Sequence, residues 1–202
     1  MGEGTIDDVE KCDCSAKKRF GAKSEPPCKV CSACQNEKKD ECTLYPAYRP
    51  NCCGKLGKTP HHLVPVHCFM EPGERKAAKR ASRKPQVYKG CEKYDEKDAP
   101  CICVTKGGKN AGDHEDIHNS YDAKEDAHKN RKWSYNQASN DAAESANEVF
   151  GCDEKCIKAQ LDAYHKDQCR IKGNQPLRAD SGGKKASPGI PLSNTSAGDQ
   201  DG

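Results

Sequence analysis

Four of the seven histidines of this 202-residue chain fall in two tight pairs. The first is Pro60-His61-His62-Leu63-Val64-Pro65 and the second is Asp113-His114-Glu115-Asp116-Ile117-His118. On a helix, positions i and i+4 share a face about 5–6 Å apart, so His114 and His118 can reach a single ion. Neighbouring residues of a strand point to opposite faces, so His61 and His62 divide their work. One imidazole can hold a metal while the other stays free to take a proton from water, which is the chemistry of metal-assisted hydrolysis. Either pair alone also describes solvated surface. Together they describe a strand–strand–helix unit with ligands on two elements. His67 lies five positions past His62 and reads as packing or a substrate contact. His128 is 14 residues beyond His114, about 21 Å along a helix, too far to share the ion. His165 has no metal partner readable from sequence.

Cysteine is the other reactive resource, at 15 residues. Cys28, Cys31 and Cys34 form a C-x2-C-x2-C run followed by Cys42, and four such thiolates suffice for a structural Zn2+. The competing reading is disulfides, to which most of the cysteines are assigned. Vicinal Cys52-Cys53, Cys12/Cys14, Cys101/Cys103 and Cys152, Cys156 and Cys169 make no tidy zinc knuckle, and an odd total leaves one thiol over unless chains are bridged. No single cysteine is distinguished as a protease nucleophile.

The elements that must position the histidines are short. A strand end is expected at His62–Val66, with Pro65 limiting its ladder role, and a strand at Cys101–Thr105. A glycine-rich loop, 106–112, then leads to a helix over about 114–129 with Asp113 as N-cap. Two more helices are expected over about 134–150 and 152–169, divided by Gly151. Between the two histidine pairs runs a basic insertion with Arg75, Lys76, Lys79, Arg80, Arg83 and Lys84, flanked by Pro72 and Pro85. As a helix it lines up Arg75, Lys79 and Arg83 on one side and Lys76, Arg80 and Lys84 on the next. That suits phosphate contact without base reading.

Leu, Ile, Val and Phe number 22, about 11% of the chain, below the roughly 20% at which disorder is suspected. The 34 basic and 31 acidic residues nearly cancel, so charge is not the cause. A core this thin needs staples. A large apolar cavity, a Rossmann or barrel enzyme and a membrane-spanning segment are excluded as readings, and the start at Met1 carries no signal-peptide pattern. Three segments are expected: a cysteine-rich irregular region at 1–57, a catalytic domain at 58–172, and a loose Gly/Ser/Pro/Lys-rich tail at 173–202.

The two histidine motifs resemble the ββα-metal fold of the HNH/endonuclease VII superfamily, and within it the GHH/HHH-type polymorphic nuclease toxins. His61-His62-Leu63-Val64-Pro65 is similar to the family's His-His-x-x-Pro strand. Asp113 to His118 is similar to the helix carrying two metal-binding histidines. The likeness covers about residues 58–130. It departs from the family in the 52-residue separation of the pairs and in Pro60 standing where GHH has Gly. The resemblance implies an α+β fold with a helical C-terminal extension, with metal ligands His61, His114 and His118 and general base His62. It implies Asn110 as the middle asparagine, preferred over Asn119 because it lies in the loop. It implies one divalent ion, Mg2+ or a transition ion such as Zn2+, Ni2+ or Mn2+. It further implies nonspecific DNase activity, a cognate immunity protein, and a PAAR-linked type VI secretion module delivering the toxin into the target bacterial cytoplasm. A ribonuclease on the same scaffold, or a non-enzymatic zinc- or disulfide-stapled binding module, are the rival readings.

Overall fold

The computed structural model describes Cys34 and residues 40–48, 51–105, 112–129 and 133–179. A 3-10 turn at Asp40–Cys42 leads into β1 (Tyr45–Pro46), α1 (Cys52–Lys55) and β2 (Thr59–His62). A second 3-10 turn (Val66–Phe69) precedes α2 (Glu74–Arg80) and β3 (Pro100–Val104). The helical half follows: α3 (Asp113–Ala127), β4 (Trp133–Ser134), α4 (Tyr135–Phe150), α5 (Glu154–Asp162), a π turn (Ala163–Gln168) and β5 (Pro176–Leu177). The architecture is α+β.

The main sheet is antiparallel in the order β1-β3-β2. β3 is the centre strand and is buried along its whole length. Pro46 and Pro60 both lie on edge strands, where a residue without an N–H costs no ladder bond. β2 starts earlier than expected, pairing Thr59 with Val104 and His62 with Cys101. It stops before Pro65, which opens the 3-10 turn instead. β1 belongs to the cysteine-rich segment yet pairs Tyr45 with Cys101, so sheet pairing crosses the 57/58 division.

The helices are placed by their ends. α3 begins after Gly112, whose φ of 75° is open to glycine. Asp113 is the first helical residue rather than the cap, and it accepts a bond from Thr105 Oγ1 at 3.0 Å. Asp113, Glu115 and Asp116 crowd the first turn, where the helix dipole favours negative charge. α4 starts with a capping box, Ser134 and Gln137 bonding each other's backbone N–H. It ends at Gly151 in the left-handed region. Its buried face is Tyr135, Ala138, Ser139, Ala142, Ala143, Ser145 and Ala146. Side chains this small let α3 and α5 pack close on either side, which is how so few aliphatic residues close a core.

Aromatics and sulfur supply the rest. Phe69 stacks on Tyr94 with ring centroids 4.1 Å apart and on His165 at 5.3 Å, while Trp133 is buried beside Tyr121. Disulfides join Cys34 to Cys156, Cys42 to Cys152 and Cys53 to Cys103. The four-cysteine zinc site is therefore corrected. Cys34 and Cys42 are consumed by partners 122 and 110 residues away, and Cys28 and Cys31 lie outside the described residues. Within the segment expected as a tail, Leu177 and Pro176 pair with Trp133 and Ser134, which ties residues up to 179 to the helical half. No helix among the described residues is long and apolar enough to cross a membrane.

Candidate metal centre

β2 and α3 meet edge to face at the histidines. His61 points inward from β2 and is buried, with its ring centroid 5.2 Å from His114 and 4.5 Å from His118. His114 and His118 are 5.0 Å apart one helical turn from each other. One ring nitrogen from each of the three lies within 4.8 Å of the others. About 3.3 Å between ligands is what a tetrahedral ion with bonds near 2.0 Å needs, so small ring rotations suffice. The protonation state fits as well. Burial, followed by repulsion from His118 and His114, holds the His61 pKa well below its ordinary value. Burial and then His114 lower that of His118. Neutral imidazoles keep the lone pairs that a cation requires. The three residues thus fit a metal ion on geometry and on donor chemistry.

His62 turns to the other side of the strand and makes a different contact. Its Nε2 lies 2.8 Å from the backbone carbonyl oxygen of Glu96. A carbonyl only accepts, so Nε2 carries the proton and Nδ1 presents its lone pair. Burial is the main cause lowering the His62 pKa, with the Glu96 carbonyl pulling upward and Arg75 pulling down. The same Arg75 pairs with the Glu96 carboxylate at 2.8 Å. Glu96 therefore links the basic helix α2 to His62 through its two ends, a role absent from any sequence motif because half of it is backbone. Tyr48, exposed, has its ring 6.4 Å from that of His62.

The basic segment is shorter as a helix than expected. α2 stops at Arg80, and Ser82 takes a positive φ of 50°, which turns the chain so that Arg83 comes back to Glu74. Both terminal guanidinium nitrogens of Arg83, Nη1 and Nη2, donate to the Glu74 carboxylate, whose pKa is held down to about 2 chiefly by that pairing. The stripe of Arg75, Lys79 and Arg83 is thus broken after Lys79. All six basic residues are exposed. Asn110 lies outside the described residues. Among the remaining histidines, His128 stacks on Trp133 at 5.5 Å and reaches Asp141 at 3.2 Å, away from the centre. His165 is buried among Phe69, Tyr135 and Tyr164.

The sequence is also similar to known proteins. Residues 58–139 match the family model described as "GHH signature containing HNH/Endo VII superfamily nuclease toxin 2". The chain is 31% identical over 157 residues to the DNase toxin Tse7 of Pseudomonas aeruginosa, an alignment covering 68% of this chain and 38% of that protein. The chain therefore spans little more than a third of this curated relative. No solved structure matches it significantly. Nucleases of this superfamily depend on a metal, and the matched segment contains both histidine pairs. Residues 58–139 are a GHH-signature nuclease-toxin domain of the HNH/endonuclease VII superfamily.

Proposed function

We propose that the chain is a metal-dependent endonuclease that hydrolyses DNA phosphodiester bonds without sequence preference and acts as an antibacterial toxin. The observation that supports this best is the division of labour on β2. His61 joins His114 and His118, while its neighbour His62 is turned away with Nε2 bonded to the Glu96 carbonyl.

In this reading His61, His114 and His118 hold the ion, and three imidazoles favour Zn2+, Ni2+ or Mn2+ over Mg2+, which prefers oxygen. A divalent ion there would supply charge stabilisation at the phosphate and the departing 3′ oxygen. His62 takes the proton of the attacking water on Nδ1. The bond to Glu96 fixes its tautomer and ring orientation, and its lowered pKa keeps it unprotonated at neutral pH. Lys76, Lys79, Arg80 and Lys84 contact backbone phosphates, with Arg75 and Arg83 partly engaged by Glu96 and Glu74. Asn110 keeps the role that the family likeness gives it. DNA is favoured over RNA as substrate because the relative carries the name DNase toxin. A cognate immunity protein, a PAAR-type delivery module and entry into a target bacterial cytoplasm complete the proposal.

Supercoiled plasmid incubated with the purified chain and Mg2+, Mn2+, Ni2+ or Zn2+ tests it. Cleavage should need a metal and stop with chelator. His62→Ala should lower the rate by about 10²–10⁴-fold, the range for a general base, with metal content and circular dichroism unchanged. Intact plasmid under every metal would overturn the DNase reading.

A further inference from the structure

Seven residues beyond His118, α3 carries Glu125, whose side chain is fully buried. It meets the 3-10 turn that follows β2, where His67 Nε2 lies 2.8 Å from Glu125 Oε1. The buried thiol of Cys68 adjoins them, and one ligand atom from each of the three lies within 4.8 Å of the others. We propose that His67, Cys68 and Glu125 form a second metal site, structural in role and suited to Zn2+, separate from the three-histidine centre.

The donor set carries the assignment. Imidazole, thiolate and carboxylate are the three ligand types of zinc sites, and thiolate excludes the hard ions Mg2+ and Ca2+. A thiolate, a carboxylate and a dication sum to zero, so the ion would leave no net charge among these buried groups. Binding requires the Cys68 proton to leave for solvent and His67 to carry its own proton on Nδ1. The His67–Glu125 contact then opens from 2.8 Å to the about 3.3 Å of adjacent tetrahedral ligands. His67 is about a third exposed, which gives the ion a route in and leaves room for a water as fourth ligand. Tyr121 lies against Cys68 from the same helix.

Distance fixes the role. Seven residues of helix separate Glu125 from His118 by about 10 Å, whereas cooperating ions in two-metal hydrolysis stand about 3.5–4 Å apart. The second ion cannot share the reacting phosphate. It would instead clamp the turn just after His61 and His62 to the helix bearing His114 and His118, and so fix the spacing between the two halves of the first centre.

Cobalt distinguishes the sites, because a thiolate ligand adds a strong near-ultraviolet charge-transfer band that three imidazoles cannot produce. The full chain, stripped with chelator and titrated with Co2+, should take up two ions and develop this band. Cys68→Ala should lose the band and one equivalent while keeping the weaker imidazole-site absorption. His67→Ala, a partly exposed position that spares the core, should weaken the band's titration by about tenfold or more, since even outer-shell losses reach that size. Cysteines elsewhere would give a band indifferent to residue 68. A band unchanged in Cys68→Ala, or no band in the wild-type chain, overturns the proposal. Neither readout involves nuclease activity, so the result stands apart from that of the plasmid assay.

Discussion

His165 is a residue whose chemistry its surroundings alter strongly. It is buried among Phe69, Tyr94, Tyr135 and Tyr164, with Nδ1 bonded to the Leu161 carbonyl at 2.9 Å. Burial lowers its pKa from 6.5 to about 4. In the unfolded chain the imidazole takes up a proton as pH falls through about 6.5, but in the folded chain it resists until about 4. The unfolded state therefore binds more protons across that window, and stability falls with pH. The loss is complete below about 4 and amounts to roughly 3 kcal/mol. Denaturant melts at pH 7, 5.5 and 4.5 measure it, and His165→Phe should flatten this part of the slope. Residue spacing alone made His61, His62, His114 and His118 readable, because periods of two and 3.6 are local. The Glu96 carbonyl was not readable, since it is backbone from a loop 34 residues away. Nor was the His67–Glu125 pair, whose members are 58 residues apart with no shared motif.

Among the elements, α2 and α4 show what a helix contributes by its face and by its ends. α2 presents Lys76, Lys79 and Arg80 to solvent, each exposed and none with a side-chain hydrogen bond or ion pair to another described residue. If they contact phosphates, replacing all three by alanine should reduce the slope of log affinity against log salt by about 0.9 per lost contact on duplex DNA. A filter-binding series with His62→Ala as background, the variant expected to cut slowly, reads this directly, and an unchanged slope would remove α2 from the interface. α4 depends on its start. Ser134→Ala removes half of the capping box and should cost about 1 kcal/mol, seen as a shifted denaturation midpoint at constant slope. Gly151 marked the end of this helix in the sequence because a left-handed residue there is a local need. The end of α2 was hidden, because Ser82 at positive φ and the Arg83–Glu74 bond that closes the turn leave no local signature in the sequence.

At the scale of the molecule, sulfur substitutes for aliphatic mass. The bridges Cys34–Cys156 and Cys42–Cys152 tie the front of the chain to α5 and to the link between α4 and α5, and Cys53–Cys103 ties α1 to the central strand. Loops of 50 to 122 residues are each worth about 4–5 kcal/mol singly in the chain-entropy account. Cys42→Ala with Cys152→Ala should therefore lower unfolding free energy by up to that amount, and reductant should do more. Comparing melts with and without reductant checks both. The pairing was out of reach of sequence spacing, which suggested a local cluster at Cys28, Cys31, Cys34 and Cys42, because loops this long leave no local trace. The same three bridges all run across the exposed stretch at 81–84, each joining a cysteine before it to one after it. A protease nick there would release no fragment. The strand bearing His61 and His62 and the helix bearing His114 and His118 would stay leashed together until a reductant cut the sulfur, so scission and separation are two events for this chain, the second under redox control.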